Sequence, residues 1–119
     1  MKASAIHHVS VCVEKLDDAV DFYTRRLGLR LRDDRPDTLG RGAWLDAGPQ
    51  QLHLIEAAPP PGRGQHFALA VADLDAATTE LRAAGVQVSE AIRIGSARQA
   101  FVTDPSGNAI ELHEPSHDA

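Results

Sequence analysis

The chain has 119 residues, of which 43% are hydrophobic, and this is enough for one compact domain with its own core. Twelve basic and 17 acidic residues give a formal net charge of −5, and no basic block with interleaved aromatic residues is present, so no nucleic-acid partner is expected. No apolar run approaches the roughly 20 residues of a membrane span, and the N-terminal segment lacks the apolar core of a signal peptide, so we expect a cytoplasmic protein with no membrane partner.

The first half of the chain predicts a strand, a helix and three further strands. Val9, Val11 and Val13 alternate with other residues, which is typical of a strand with one buried face. Asp17 is the expected N-cap of the following helix, and Gly28 is its expected stop. Segments that favour strands follow at about 29–33, 42–47 and 50–57.

The second half repeats this pattern. HVSVCVEKLDDA (8–19) and HFALAVADLDAA (66–77) align at an offset of 58 residues. Asp75 is accordingly the expected N-cap of the second helix, and Gly85 its stop. The remaining strands are expected at about 86–93, 98–103 and 108–113, with a tight DPSG turn joining the last two.

The two halves are joined by a linker at about 57–65, where prolines and glycines suit neither a helix nor a central strand. The sequence therefore predicts one α+β domain over 1–119, made of two tandem βαβββ modules at 1–57 and 65–119. Two copies favour duplication, because a solenoid needs three or more repeats.

Alternation along the strands predicts which histidine and glutamate side chains lie on the sheet faces away from the helices. The apolar residues of each strand must cover a helix, so residues of the opposite parity face away from the helices. His7 shares the parity of the valines and is not expected there. Four residues in matching positions of the two modules are expected on the face away from the helices: His8, His53, His66 and Glu111.

Imidazole and carboxylate are ligands of first-row divalent metals such as Zn, Ni, Mn or Fe, so this set predicts a metal site with positions open for substrate. Cys12 is the only cysteine, which excludes a disulfide framework and a thiolate cluster. His113 has the same parity as Glu111 but lies nearer the rim, where a supporting role is expected. His117 lies in the tail, and no role is expected for it.

The motifs IHHVSVCVEKLDDAVDFYTRRLGLRL, LHLIE, GQHFALAVADLDAATTELRAAGV and FVTDPSGNAIELHEP resemble the vicinal oxygen chelate superfamily over nearly the whole chain. This resemblance implies that the two modules form a curved, incomplete barrel of eight strands around a metal and ligand cavity. It places metal ligands at His8, His66 and Glu111. It also places His53 where glyoxalase I usually has an acidic or amide residue, so His53 is either a fourth ligand or a catalytic acid/base, and Glu111 shares the catalytic role.

The resemblance implies a metal-dependent enzyme of the glyoxalase type, a lyase or isomerase that chelates a small oxygenated substrate. An Fe(II)-dependent extradiol-type dioxygenase is one alternative, since two histidines and one carboxylate are a common non-haem iron set. A metal-free drug-binding protein, like the bleomycin-resistance proteins, is the other. Members of this size commonly pair as homodimers, so we expect a homodimer whose sites are shared between two chains.

Overall fold

The computed structural model describes residues 1–116, which fall into two compact units, 1–61 and the residues from 62 onward. The first unit contains β1 (His8–Val13), α1 (Leu16–Asp21, continued by a π-helical turn at Phe22–Arg26), β2 (Arg30–Leu31), a 3₁₀ turn (Asp37–Leu39), β3 (Gly42–Ala47) and β4 (Gln50–Glu56). The second contains β5 (Phe67–Ala70), α2 (Leu74–Ala83), β6 (Ile92–Ile94), β7 (Ala97–Thr103) and β8 (Ala109–Glu114). Each unit is thus a βαβββ module, which confirms the predicted α+β class.

The first unit contains a mixed sheet with the strand order β1-β4-β3-β2, in which only β1 and β4 are parallel. His53 of β4 lies between Ser10 of β1 and Trp44 of β3 in the register. The neighbouring residues of β4, Leu52 and Leu54, are buried, as the alternation predicts. The helix side of this sheet therefore forms the core, and His53 points to the opposite face.

The second unit repeats this sheet with the order β5-β8-β7-β6. Ala68 of β5 pairs with Glu111 of β8, and Phe101 of β7 pairs with Glu111 from the other side. Ile110 and Leu112 are buried on the helix side. The DPSG turn closes as expected, because the amide of Gly107 donates to the carbonyl of Asp104 at 3.0 Å.

The predicted N-caps of both helices are wrong. Asp17 and Asp75 lie inside the first turns, and the flanking residues are Lys15 and Asp73. The first helical amides are instead bound by glutamates at the ends of the last strands: Glu56 Oε2 accepts from the amide of Leu16 at 3.0 Å, and Glu114 Oε2 accepts from that of Leu74 at 2.7 Å. Strand ends therefore cap the helices in both modules, at the same 58-residue offset.

The predicted strand at 86–93 is also displaced. In this part of the chain the structure has one strand, β6 (Ile92–Ile94), and residues 86–91 form no strand. The guanidinium of Arg82 donates to the carbonyl of Val88 at 2.9 Å, and the amide of Val86 donates to Leu81. This segment thus bonds to α2 at Val86 and Val88, and to β7 at Ser89, whose amide donates to the carbonyl of Phe101 at 3.0 Å. No helix among residues 1–116 is long and apolar enough to cross a membrane.

Candidate metal and substrate site

Three rings stack on the open face of the first sheet. The rings of His8 and His53 are nearly parallel, with centroids 3.9 Å apart, and the indole of Trp44 covers the other side of His53 at 4.8 Å. The strand register explains the stack. Trp44 of β3 lies opposite His53 of β4, and β1, which carries His8, pairs with β4 on its other side. His7 precedes β1 and lies beside His8, with their Nδ1 atoms 2.9 Å apart.

The imidazole of His53 is held in the neutral form. Its Nε2 lies 2.8 Å from Oε1 of Gln51, an oxygen that only accepts hydrogen bonds, so Nε2 carries the hydrogen and Nδ1 keeps the lone pair. Burial lowers the pKa of His53, and the neighbouring positive charges, His8 first, lower it further. His53 is therefore a proton acceptor at neutral pH.

The second unit brings His66 and Glu111 together. Nε2 of His66 lies 3.1 Å from Oε1 of Glu111, and Nδ1 of the same ring lies 2.9 Å from the carbonyl oxygen of Gly64. The Gly64 carbonyl and then the Glu111 carboxylate raise the pKa of His66. The side chain of Glu111 is largely buried, so the carboxylate and the ring face each other with little water between them.

The hydrogen bond to Gly64 decides which nitrogen of His66 carries the hydrogen in the neutral ring. A carbonyl oxygen only accepts, so Nδ1 must donate, and in the neutral ring Nε2 then carries the lone pair. That lone pair faces a carboxylate oxygen. Two acceptors at hydrogen-bond distance repel each other, so a positive species is favoured at the pair, and the raised pKa of His66 shows that a proton fills this role.

Two further side chains support this pair. Nδ1 of His113 lies 2.9 Å from Oε2 of Glu111, so each carboxylate oxygen has one imidazole neighbour. The ring of Phe101 meets that of His66 edge-on at 5.1 Å. The carboxylate and the His66 ring are consequently fixed in orientation before any ligand binds.

A family model described as the Glyoxalase/Bleomycin resistance protein/Dioxygenase superfamily matches residues 5–112. The chain belongs to this superfamily. The superfamily membership predicted from the sequence motifs is thus confirmed. The matched segment contains His8, His53, His66 and Glu111.

Similar members of the superfamily have different activities. A 2-epi-5-epi-valiolone epimerase from Actinomyces sp is 35% identical over 92% of this chain and 79% of the epimerase. Lactoylglutathione lyase GLX1 of Arabidopsis thaliana is 29% identical over 88% of this chain, which spans only 42% of the plant protein. TnmS3, an antibiotic binding protein from Streptomyces sp. CB03234, has a crystal structure that matches with a TM-score of 0.83 and 32% identity, covering 98% of this chain and 99% of TnmS3. Superfamily membership therefore leaves both an enzyme and a binding protein as candidates.

The predicted ligand residues form two pairs, one in each unit. His8 and His53 are in contact in the first, and His66 and Glu111 in the second. Among residues 1–116 no group of three or more His, Cys, Asp or Glu side chains is close enough to hold a metal ion. Sequence reasoning missed Trp44 and Gln51, although antiparallel pairing of the predicted strands at 42–47 and 50–57 would have placed Trp44 beside His53. His117 lies outside the described residues.

Proposed function

We propose that the protein is a metal-dependent enzyme of the glyoxalase type, in which His8, His66 and Glu111 bind a divalent metal. The observation that carries this proposal is the contact between Nε2 of His66 and Oε1 of Glu111 at 3.1 Å. Metal–nitrogen and metal–oxygen bonds of about 2.1 Å at right angles place two ligand atoms about 3.0 Å apart. The separation of the pair thus fits two neighbouring ligands of one ion.

His53 is assigned the acid/base role, and His8 the third ligand. Lone pairs of imidazole lie in the ring plane, and the nearly parallel planes of His8 and His53 keep those directions from meeting at one ion. Gln51 accepts from Nε2 of His53 and leaves the Nδ1 lone pair of the neutral ring free for proton transfer. Nε2 of His8 has no hydrogen-bond partner in the described part of the chain, so it is available as a ligand.

A bound divalent metal would stabilise the oxyanion that forms when a substrate loses a proton next to a carbonyl. Nδ1 of His53 would accept that proton and return it to a neighbouring atom or to the other face of the same carbon. Such proton transfer is shared by isomerases, epimerases and related lyases, and the similarity to an epimerase over most of the chain supports it. The substrate class is a small oxygenated metabolite.

Metal analysis combined with a substrate screen tests this function. After loading with Zn, Ni, Mn or Fe, the wild-type protein should retain about one ion per chain. His66→Ala and Glu111→Ala should lose it, whereas the matched control His7→Ala should keep it. Turnover of a 2-oxoaldehyde adduct should require the metal and be lost in His53→Gln with the metal retained. Absence of stoichiometric metal from the loaded wild type would contradict the proposal.

A metal-free binding protein is the second candidate, because the Trp44–His53–His8 stack offers aromatic surface and TnmS3 is 32% identical over nearly the whole chain. It predicts binding of a flat drug that is unchanged by chelators and by Glu111→Ala. The dioxygenase alternative predicts oxygen uptake with a catechol after anaerobic loading with Fe(II). Chelator-insensitive drug binding or oxygen uptake with a catechol, found without isomerase activity, would contradict the proposed isomerase-type reaction and favour the corresponding alternative.

The proposed three-ligand site needs residues from both units. Each unit supplies only one of the two pairs, so the site is completed either by the two units of one chain or by units of two chains in a homodimer. We propose the homodimer, because members of this size commonly pair in this way. A subunit-mixing experiment separates the two arrangements and is described in the Discussion.

A further inference from the structure

A cavity of about 530 Å³ lies at the edge of the first sheet and is lined by three arginines, Arg25, Arg32 and Arg35. The short strand β2 ends opposite Leu45, so the beginning of β3 has an open edge. Leu16 and Val20 of α1 form an apolar wall, and Trp44 and Arg35 lie on other sides. The cavity therefore combines apolar surface, one aromatic ring and three guanidinium groups.

The guanidinium group of Arg35 is held by backbone oxygens. Nη1 donates to the carbonyl of Gly40 at 2.7 Å and Nη2 to that of Leu39 at 3.3 Å. Gly42 provides the space, because a Cβ atom there would collide with the guanidinium. Nε is buried and has no hydrogen-bond partner among residues 1–116. The group is thus fixed in place while several of its five N–H donors stay without acceptors.

Neighbouring arginines differ from Arg35 in their charge balance. Arg32 forms ion pairs with Asp34 at 2.7 Å and with Asp46 at 2.8 Å. Arg41 pairs with Glu56 at 2.8 Å. Arg35 has no carboxylate within ion-pair distance in the described part of the chain, so its positive charge is not compensated by the protein. A partly buried, uncompensated cation favours binding of an anion.

We propose that this cavity binds the carboxylate group of a small organic acid, with the carboxylate on the outer N–H groups of Arg35 and the apolar body against Val20 and Trp44. A singly charged anion is favoured over a phosphate dianion, because Asp17 and Asp21 also line the cavity. Asp21 is paired with Arg25 at 2.8 Å, and Asp17 would repel the second charge.

The position of Trp44 connects this cavity to the proposed reaction. Trp44 lines the cavity and also stacks on His53, so a ligand held at Arg35 contacts the residue that packs directly on the proposed acid/base. The enzyme's substrate is then a small oxygenated carboxylic acid, an assignment that rests on the proposed function. The carboxylate anchors it at Arg35, and its reacting oxygens lie at the other end.

Fluorescence of Trp44, the only tryptophan, measures binding directly in metal-free protein. Cyclohexanecarboxylate is the probe and cyclohexanecarboxamide its uncharged control, since the two have nearly the same shape. The carboxylate should change the fluorescence saturably and bind about tenfold tighter than the amide, the value of one charge-assisted hydrogen bond. Arg35→Gln should lose this preference, and Arg26→Gln, which removes an exposed arginine outside the cavity, should keep it.

The comparison of the two probes on wild-type protein needs no variant, so it stands even if Arg35→Gln disturbs the loop. Equal binding of acid and amide, tighter binding of inorganic phosphate, or an unchanged preference in Arg35→Gln would overturn the inference. Loss of metal binding alone would overturn the proposed function and leave the anion site intact. Metal-dependent turnover without any preference for the carboxylate probe would overturn the anion site and leave the proposed function intact.

Discussion

Replacing Glu114 by alanine should destabilise the second module, because this glutamate caps α2 from the end of β8. Its Oε2 accepts from the amide of Leu74 at 2.7 Å, and its carboxylate also binds Arg98. Leu74 is fully buried, so its amide would lose its acceptor without gaining water. The N-cap Asp73, which accepts from the amide of Ala76, remains, so the cost is that of one unsatisfied buried amide, about 2 kcal/mol.

This free energy converts into a measurable shift of the melting temperature. Unfolding entropies of about 2.1 cal/mol/K per residue give about 0.25 kcal/mol/K for this chain, so Tm should fall by about 8 °C. Glu114→Gln keeps an oxygen acceptor and should lose about half as much. The control is Glu90→Ala, since Glu90 is 94% exposed and pairs with Arg82 only at 3.4 Å. Calorimetry measures all three, and a loss below about 2 °C in Glu114→Ala, or an equal loss in Glu90→Ala, would refute the capping argument.

Two further predictions concern the first module and the assembly. The Arg41 guanidinium, together with the Leu16 amide, holds the pKa of Glu56 below its ordinary value of 4.5, so the stabilisation is complete above that pH and is lost as the pH falls through the lowered pKa. The Tm difference between wild type and Glu56→Gln should therefore shrink on acidification, and a difference that grows would contradict the sign. For the assembly, mixing His8→Ala with Glu111→Ala under subunit exchange should restore about a quarter of the wild-type metal sites if sites are shared between chains. No recovery would show that each site is built within one chain.

Much of the fold was predictable, because alternation along the strands sets which side chains share a face. His53 and Glu111 point away from the helix sides of their sheets, as their buried neighbours require. The boundaries of β3 and β4 also agree with the predicted segments within one residue. Local patterns of this kind are readable because each depends on residues close in sequence.

Other features depended on residues far apart in sequence. Glu56 and Glu114 bind first helical amides 40 residues before them, which local patterns do not predict, whereas the N-cap of α2 is a nearby aspartate, Asp73, two residues before the predicted Asp75. The tautomer of His66 depends on the carbonyl of Gly64, a backbone group that residue types do not reveal. The buried guanidinium of Arg35 likewise depends on how the loop after β2 folds back over Gly42. Tertiary placement decides all of these contacts.

Nitrogen-15 NMR of the imidazole rings tests the central claim most directly, because it shows whether His66 binds metal and through which nitrogen. Signals are assigned by comparison with His66→Gln, and Zn²⁺ is added to metal-free protein at neutral pH. We predict that Nε2 of His66 shifts on binding while Nδ1 stays protonated by its hydrogen bond to Gly64. A His66 ring whose Nε2 remains protonated at saturating Zn²⁺ would contradict the proposed metal site.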